Sequence, residues 1–258
     1  MTERPSDRAL QDDVIRALAD APYRTSPAWR QRGLADPERM ERYARFLARH
    51  FYYERIVHFF KYSRALARVT GRWPEAVLHQ AAFEALLPSA ILGSRDTARA
   101  VARLVVEYVA AADGRIPYLA DLLRYEEAML SVEAGPRIWR DVEPRDGGVS
   151  SGAPETVAGT VVLTLAYDLP VVLPQLLRPW ADVPQVPMRA TKLLIARSRH
   201  GRVAVARTDD VVAAVVDLAD GKRSPADLAR GAGVEMAQLA TTLHGLVELG
   251  AVGFATGS

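Results

Sequence analysis

The sequence predicts a mostly α-helical protein, in which an irregular helical bundle precedes a smaller α+β domain of the winged-helix type. Three observations predict this class. A long stretch without glycine or proline, Met40–Thr70, has the densest aromatic and basic composition in the chain. A segment rich in Pro, Gly and Ser, Glu143–Pro154, follows five or six helical patterns. After that segment, β-branched runs appear before three short helical patterns.

We therefore predict a helical domain over residues 1–135, a linker over 136–156 and a winged-helix-like domain over 157–258. A chain of 258 residues is long enough for two hydrophobic cores, and 25% charged residues are ordinary for a globular protein. The absence of cysteine excludes disulfides, thiolate metal sites and a cysteine nucleophile in this chain. We expect a cytoplasmic protein without a membrane segment, because no secretory signal or sufficiently long apolar run is evident.

Met40–Thr70 is the segment around which the first domain is expected to form. Eight of the chain's nineteen Phe, Trp and Tyr residues lie between Tyr43 and Tyr62, and Asp36-Pro37 supplies a helix start signal. The apolar side chains up to Phe51 lie on one side of the predicted helix, and those after it lie on a side turned by roughly 150°. We expect either a break near Phe51–Arg55 or a central helix that changes neighbours.

The remaining elements of the first domain follow from helical spacing and capping signals. The predicted helices are Ser6–Ala21, which a polar link joins to Asp36, then Trp73–Leu87, Ser94–Asp113 with a Ser94 cap, and Ile116–Ala134. In the last of these, the apolar spacing predicts that five residues face inward: Leu119, Leu122, Leu123, Ala128 and Leu130.

The second domain is predicted from strands and short helices. The expected elements are a strand within Val157–Tyr167, a short helix over Val171–Leu177, a hairpin of Thr191–Arg197 and Val203–Arg207, and helices Asp209–Leu218, Ser224–Arg230 and Val234–Leu249, the last of which ends at Gly250.

His50, Glu54 and His58 are the candidates for a metal site, because their i, i+4, i+8 spacing places them on one helix face. Glu75 and His79 repeat the i+4 pairing. Di-iron sites in helical bundles instead use Glu-x-x-His at i, i+3 on two helices. We therefore predict helix-surface pairs and no metal site, and an independent helical di-iron oxidase is the alternative.

No set of residues in the sequence predicts an active site. Glu126 and Glu127 diverge by 100° on a helix and cannot face one substrate, so with Asp121 and Arg124 they predict a solvated helix face. Ser150-Ser151 lies in the predicted linker without a His partner, and no phosphate-binding glycine loop is present. We expect no enzymatic activity from this chain itself.

The predicted last helix and the hairpin together indicate a peptide site. A DNA-reading helix carries Arg, Lys, Asn or Gln to base edges, whereas the last helix here has no Arg or Lys. The hairpin carries the positive charge, and a strand edge beside an apolar helix can receive an added peptide strand. The predicted peptide-binding residues are Arg199, Arg202, Val203, Val205, Arg207, Leu239, Leu243 and Leu246. A winged-helix DNA-binding transcriptional regulator is the alternative.

The arginines of Met40–Thr70 are expected to cover an acidic neighbour, within the chain or in a partner protein. A nucleic-acid backbone is the less favoured alternative, and we do not expect nucleic acid as the partner. The predicted partner-interface residues are Arg45, Arg49, Arg55, Lys61 and Arg64.

Several segments resemble a known family. IPYLADLLRYEEAM, with DPERMERYARF and FEALLPSAILGSRDTA, resembles proteins whose N-terminal domain is labelled as DNA-binding and whose genes lie beside multinuclear non-haem iron-dependent oxidative enzymes. Residues 211–252 are similar to the precursor-recognition module of the same ribosomal peptide pathways, which the methanobactin and 3-thiaglutamate pathways typify. The resemblance implies a non-catalytic subunit that holds the leader of a precursor peptide for a TIM-barrel iron enzyme. It also implies that the iron belongs to that enzyme and that this chain has no cofactor.

Overall fold

The computed structural model describes residues 7–33, 36–112, 114–134, 152–198 and 200–254. Contacts between Cα atoms divide the chain into a first unit, residues 1–117, and a second unit, residues 118–258. The protein is mostly helical and has two small antiparallel sheets, which confirms the predicted mostly α class with a small α+β part. None of the described helices has both the length and the apolar character needed to cross a membrane.

The described residues of the first unit are mainly helical. Its helices are α1 (Asp7–Ala19), α2 (Ala21–Thr25), α3 (Pro27–Arg30), α4 (Pro37–Phe59), α5 (Lys61–Ala65), α6 (Ala67–Thr70), α7 (Ala81–Leu86) and α8 (Arg95–Ala110), with 3-10 helices over Pro74–His79 and Leu87–Ser89.

The long helix α4 is continuous through Phe51–Arg55, so the first of the two expected arrangements, a break at that place, was wrong. The Asp36 carboxylate caps it by accepting hydrogen bonds from the Glu38 and Arg39 N–H groups at 2.9 and 3.4 Å. The break falls at Phe60, which leaves the helical region at φ −98° and ψ 30°, and not near Phe51. Phe60 is itself fully buried, so the chain turns there inside the core.

The buried stripe of α4 consists of small residues at its beginning and large residues at its end. Ala44, Ala48, Tyr52 and Ile56 are buried at a spacing of four residues. The predicted apolar side was therefore wrong for Tyr43 and Phe46, which are exposed. Alanines leave space for a close approach of the neighbouring helices, whereas the aromatic rings project from the opposite side of α4.

The other predictions for the first unit differ mainly at loops. The Ser94 cap of α8 is confirmed, since its hydroxyl accepts from the Thr97 N–H at 3.3 Å. The predicted single helix after Trp73 is divided because Gln80 is extended at φ −92° and ψ 152°. The predicted polar link before Asp36 contains α2 and α3, which Asp20 and Ser26 cap.

The second unit combines a central helix with two sheets and four further helices in its described residues. Its elements are α9 (Leu119–Glu133), β1 (Pro154–Thr156), β2 (Val161–Leu165), α10 (Leu169–Leu176), β3 (Thr191–Arg197), β4 (Val203–Thr208), α11 (Asp210–Leu218), α12 (Pro225–Ala232), α13 (Met236–Leu249) and β5 (Val252–Phe254).

The main sheet is antiparallel, in the order β2-β3-β4, with Leu193 paired to Leu163 on one side and to Arg207 on the other. Successive side chains of β3 point to opposite faces. Leu194 and Ala196 join the hydrophobic core formed with α11, α12 and α13. The other face contacts α9, and Arg197 donates from Nη1 to the Glu133 carbonyl oxygen at 2.5 Å.

Helix α9 belongs to the second unit, whereas the predicted domain boundary at residue 135 placed it in the first domain. We assigned Ile116–Ala134 to the helical bundle, whereas α9 packs on the main sheet of the second unit. Leu119, Leu122, Leu123, Ala128 and Leu130 are buried as predicted. A helix period shows which side is buried but not which neighbour covers it.

The hairpin and the later helices agree with the sequence prediction to within two residues at most boundaries. The helix caps of Asp209 and Ser224 and the left-handed Gly250 at the end of α13 are present. Strand β1 was missed, because it falls within the predicted linker and pairs with β5 far along the chain. Most of that linker, including Ser150-Ser151, lies outside the described residues.

Candidate peptide-binding edge

Strand β4 lies at an edge of the main sheet and pairs with β3 alone within the described residues. The Ser198 N–H donates to the Arg202 carbonyl oxygen at 2.8 Å, and this pair continues the register of Arg197 opposite Val203. Hydrogen-bonded and outward-facing residues alternate along an antiparallel edge strand. Val203, Val205 and Arg207 therefore direct their backbone N–H and C=O groups away from β3. We call these backbone groups the open edge.

Arg207 fastens this strand within the unit. Its Nη2 donates to Oδ1 of Asp168 at 2.5 Å, and Arg189 contacts the other carboxylate oxygen. The Asp168 side chain is 2% exposed. The hydrogen bond from Arg207 and then that from Arg189 hold the pKa of Asp168 below its ordinary value, against the effect of burial. The Arg207 guanidinium is therefore occupied, and its predicted contact with a peptide carboxylate is not supported.

The other residues predicted on the hairpin have different environments. Val205 is 38% exposed and Val203 is half-buried, so both offer apolar surface beside the open edge. Arg202 is exposed at the hairpin loop, where its N–H donates to the Ser198 hydroxyl at 3.3 Å. Arg199 lies outside the described residues.

The three predicted leucines of α13 do not line a groove. Leu239, Leu243 and Leu246 are 1%, 7% and 2% exposed and belong to the core that includes Leu194 and Ala196 of β3. Their spacing of four and three residues is that of a buried helix stripe. The predicted contact of these side chains with a peptide is corrected accordingly, since reaching them would require opening the core.

The predicted partner-interface residues are largely engaged within the first unit. Arg45 donates to Glu41 at 2.9 Å and to Glu84 at 3.2 Å, and Arg49 also donates to Glu84. Burial alone would raise the pKa of Glu41, but hydrogen bonds from Arg45 and Arg24 outweigh burial and lower it. These arginines therefore cover acidic groups of their own unit, one of the two arrangements expected.

The other three predicted partner-interface residues also contact side chains of the first unit. Arg64 donates from Nε to Glu75 at 2.9 Å. The Arg55 guanidinium lies 3.5 Å from the centroid of the Phe51 ring, and the Lys61 ammonium lies 5.0 Å from that of Tyr62. Cation–π contacts of this kind hold a cation against an aromatic face.

The candidate metal ligands lie on the surface of α4. His50 Nε2 is 3.3 Å from Glu54 Oε1, and both side chains are more than 60% exposed. The His58 ring instead forms a T-shaped contact with the Phe59 ring, with 4.7 Å between the ring centroids. Among the residues that the structure describes, no three His, Asp or Glu side chains are grouped so as to hold a metal ion.

Asp121 and Glu126 are buried in the second unit, so the predicted solvated acidic face was wrong for both. The Asp121 Oδ2 accepts hydrogen bonds from the Ala166 and Tyr167 N–H groups at 2.6 and 3.0 Å. It thereby binds the chain just after β2 to α9. Arg124, 3.5 Å from Asp121, donates to the Thr164 carbonyl oxygen on β2.

Sequence reasoning missed a row of exposed rings on α4. Tyr43, Phe46, His50 and Tyr53 lie on the side opposite the buried stripe, and we call them the aromatic face. The rings of Tyr43 and Phe46 are 6.3 Å apart at 16°, and those of Phe46 and His50 are 6.4 Å apart at 3°. The sequence signal that could have revealed this face is the pair Ala44 and Ala48. Their spacing of four residues marks a second side of the helix that could face the core.

Comparison of this chain with protein-family models and with curated proteins gives no match. The resemblance to the partner-protein family therefore depends on the sequence segments quoted above.

Proposed function

We propose that this chain is a non-catalytic partner subunit that binds the leader of a ribosomally made precursor peptide and presents it to an iron-dependent oxidative enzyme. The observation that supports it is the open edge of β4. Three residues there direct backbone groups outward, and no other described strand pairs with them. A peptide in an extended conformation can satisfy these groups whatever its side chains are.

The surroundings of the open edge would supply the selectivity. Val203 and Val205 offer apolar contacts to alternate side chains of an added strand. Arg202 and the predicted contribution of Arg199 would attract leader carboxylates. Exposed charge pairs contribute at most about 1 kcal/mol each, so the backbone and apolar contacts are expected to provide most of the affinity.

The resemblance supports the remaining parts of the proposal. The second unit would be a winged-helix-like precursor-recognition module, and the first unit would dock on a TIM-barrel enzyme in the cytoplasm. The enzyme's iron would carry out the oxidation of the peptide, for which cysteine is the expected target. This chain would contribute no cofactor and no reacting group.

The alternative of a DNA-binding regulator requires α13 to approach phosphates and base edges. Its exposed side includes Gln238, Thr241, His244 and Glu248, with no Arg or Lys. A helix of this composition does not supply the phosphate contacts on which DNA affinity depends.

A competition between peptide and DNA tests the proposal. The neighbouring genes are first inspected for a short Cys-containing peptide. Its fluorescently labelled leader is then titrated with the full chain, and a labelled duplex is titrated in parallel over a range of salt concentrations. The proposal predicts saturable leader binding at physiological salt. Duplex binding with a steep salt dependence, without leader binding, would establish the regulator instead.

A further inference from the structure

The aromatic face of α4 exposes an unusual amount of ring surface. Phe46 is 61% exposed, Tyr43 is 53% exposed and Tyr53 is 45% exposed. Together with His50 they extend over three turns of one helix, on the side that does not contribute to the core of the first unit. Burial of such rings is worth more than that of most side chains, so their exposure in the isolated chain is costly.

The composition of this face is that of an interaction surface. Aromatic residues and Arg are enriched at the centres of protein–protein interfaces, where a few rings carry most of the binding free energy. The rings already contact one another along the helix, so their conformations are restricted before binding. Binding would therefore cost these rings less side-chain entropy than it would cost separate rings.

Two exposed arginines at the beginning of α4 indicate which charge a complementary partner surface would carry. Arg39 and Arg42 are exposed, and neither forms an ion pair with another described residue. Glu54, the carboxylate at the other end of the aromatic face, is paired with His50. Glu38 is exposed in the same turn, so the two arginines leave an excess of one positive charge beside the apolar rings. Such a face complements a surface that carries carboxylates next to apolar side chains.

We propose that the aromatic face is the surface on which the partner protein docks, with the Phe46 and Tyr43 rings as its centre and Arg39 and Arg42 at its edge. The partner surface is apolar and flanked by carboxylates. This inference rests on the proposed function, in which the partner is the iron enzyme. It replaces the predicted interface of Arg45, Arg49 and Arg64, because those guanidinium groups are already paired with glutamates.

The small positive charge favours a protein over nucleic acid as the occupant. Bases can stack on exposed rings, but single-stranded nucleic acid also needs a positively charged groove that follows its backbone. Arg39 and Arg42 supply little of that charge, because Glu38 is exposed beside them.

The neighbouring genes are first inspected for the iron enzyme that the proposed function requires. The test is the affinity of the full chain for that enzyme, measured by biolayer interferometry. Phe46→Ala and Tyr43→Ala are each expected to weaken binding about 30-fold, as for a central interface residue. Phe46→Tyr keeps the ring and should bind within a few-fold of the wild type. Met236→Ala, which removes an exposed apolar side chain from the second unit, is the matched control and should change nothing.

The charge contribution is measured separately. Arg39→Glu combined with Arg42→Glu should slow association strongly at low salt and much less at high salt. Leader binding is measured on every variant, and it should equal that of the wild type because the aromatic face lies in the other unit.

The outcomes separate the two proposals. Enzyme binding that is unaffected by Phe46→Ala and Tyr43→Ala would overturn the docking surface alone. A wild-type chain that binds the leader but not the enzyme would overturn the partner role as well. A dimer of the isolated chain that Phe46→Ala abolishes, or single-stranded DNA binding that Phe46→Ala abolishes, would assign the face to a second copy or to nucleic acid and contradict the inference.

Discussion

Arg207 on the edge strand donates a hydrogen bond to Asp168, whose carboxylate is almost completely buried, across 2.5 Å. Asp168 immediately precedes α10, and Arg189 contacts its second oxygen. The same carboxylate therefore anchors both the edge strand and the segment that leads into β3. A side chain predicted to contact a bound peptide instead holds the strand that would bind it.

Replacing Asp168 by Asn should destabilise the second unit by about 2 kcal/mol or more, because two charge-assisted hydrogen bonds are weakened in a buried position. Arg207→Ala leaves Arg189 in place and should cost less. Chemical denaturation of both variants and the wild type provides the comparison. Equal stability of Asp168→Asn and wild type would contradict the structural role of this carboxylate.

The lowered pKa of Asp168 also predicts a pH dependence. The folded protein binds the Asp168 proton less readily than the unfolded chain, so this group stabilises the fold above its ordinary pKa, near 4. That stabilisation should be lost progressively as the pH falls through 4 and below. Asp168→Asn should show a smaller loss of stability over the same interval, measured as the denaturation midpoint at each pH.

Asp121→Asn should destabilise the second unit by about 1–3 kcal/mol, since the buried carboxylate accepts two backbone hydrogen bonds at the end of β2. Glu127→Gln, a change at a half-exposed position of the same helix, is the control and should remain within about 0.5 kcal/mol of the wild type. Thermal unfolding monitored by circular dichroism distinguishes them. A similar small effect of both changes would indicate that Asp121 is solvated after all.

Gly250→Ala should be strongly destabilising. Gly250 ends α13 at φ 78°, and an added Cβ would lie 2.2 Å from the Arg197 carbonyl oxygen on β3. The left-handed conformation alone costs roughly 1–2 kcal/mol for alanine, and the backbone overlap adds to it. Gly245→Ala, within α13 with open space around it, should instead stabilise by up to about 1 kcal/mol. Opposite signs of the two shifts in melting temperature are the expected result.

The sequence predicted the elements whose periodicity and caps are local. The start of α4 at Asp36, the Ser94 cap, the hairpin and the end of α13 at Gly250 each depend on residues within a few positions. These signals are interpretable without knowing the tertiary structure. The same holds for the buried positions of α9, where one apolar pattern continues through the whole helix.

The sequence could not show which neighbours long-range packing would bring together. Strand β1 is defined by pairing with β5, whose residues are almost a hundred positions away. On α4, two sides were compatible with burial, and the small side chains of Ala44 and Ala48 rather than the rings of Tyr43 and Phe46 faced the core. Leu243 and Arg207 have side chains suited to a peptide site. In the fold, however, Leu243 is buried in the core and Arg207 is hydrogen-bonded to Asp168.

The central claim is that a leader peptide adds to the open edge of β4, and Val205→Pro tests it most directly. Proline removes the outward N–H of Val205 and places its ring where the added strand would lie, whereas β3 makes no use of that N–H. Edge strands tolerate proline at such positions. Val205→Thr keeps both the N–H and the β-branched shape and serves as the control.

The measurement is a titration of the labelled leader with wild type, Val205→Pro and Val205→Thr, after circular dichroism has shown equal folding. Strand addition predicts that Val205→Pro weakens binding at least about tenfold, since a hydrogen bond is lost and the approach is obstructed. Val205→Thr should bind within a few-fold of the wild type. Unchanged affinity in a folded Val205→Pro variant would contradict the claim that the leader binds at this edge.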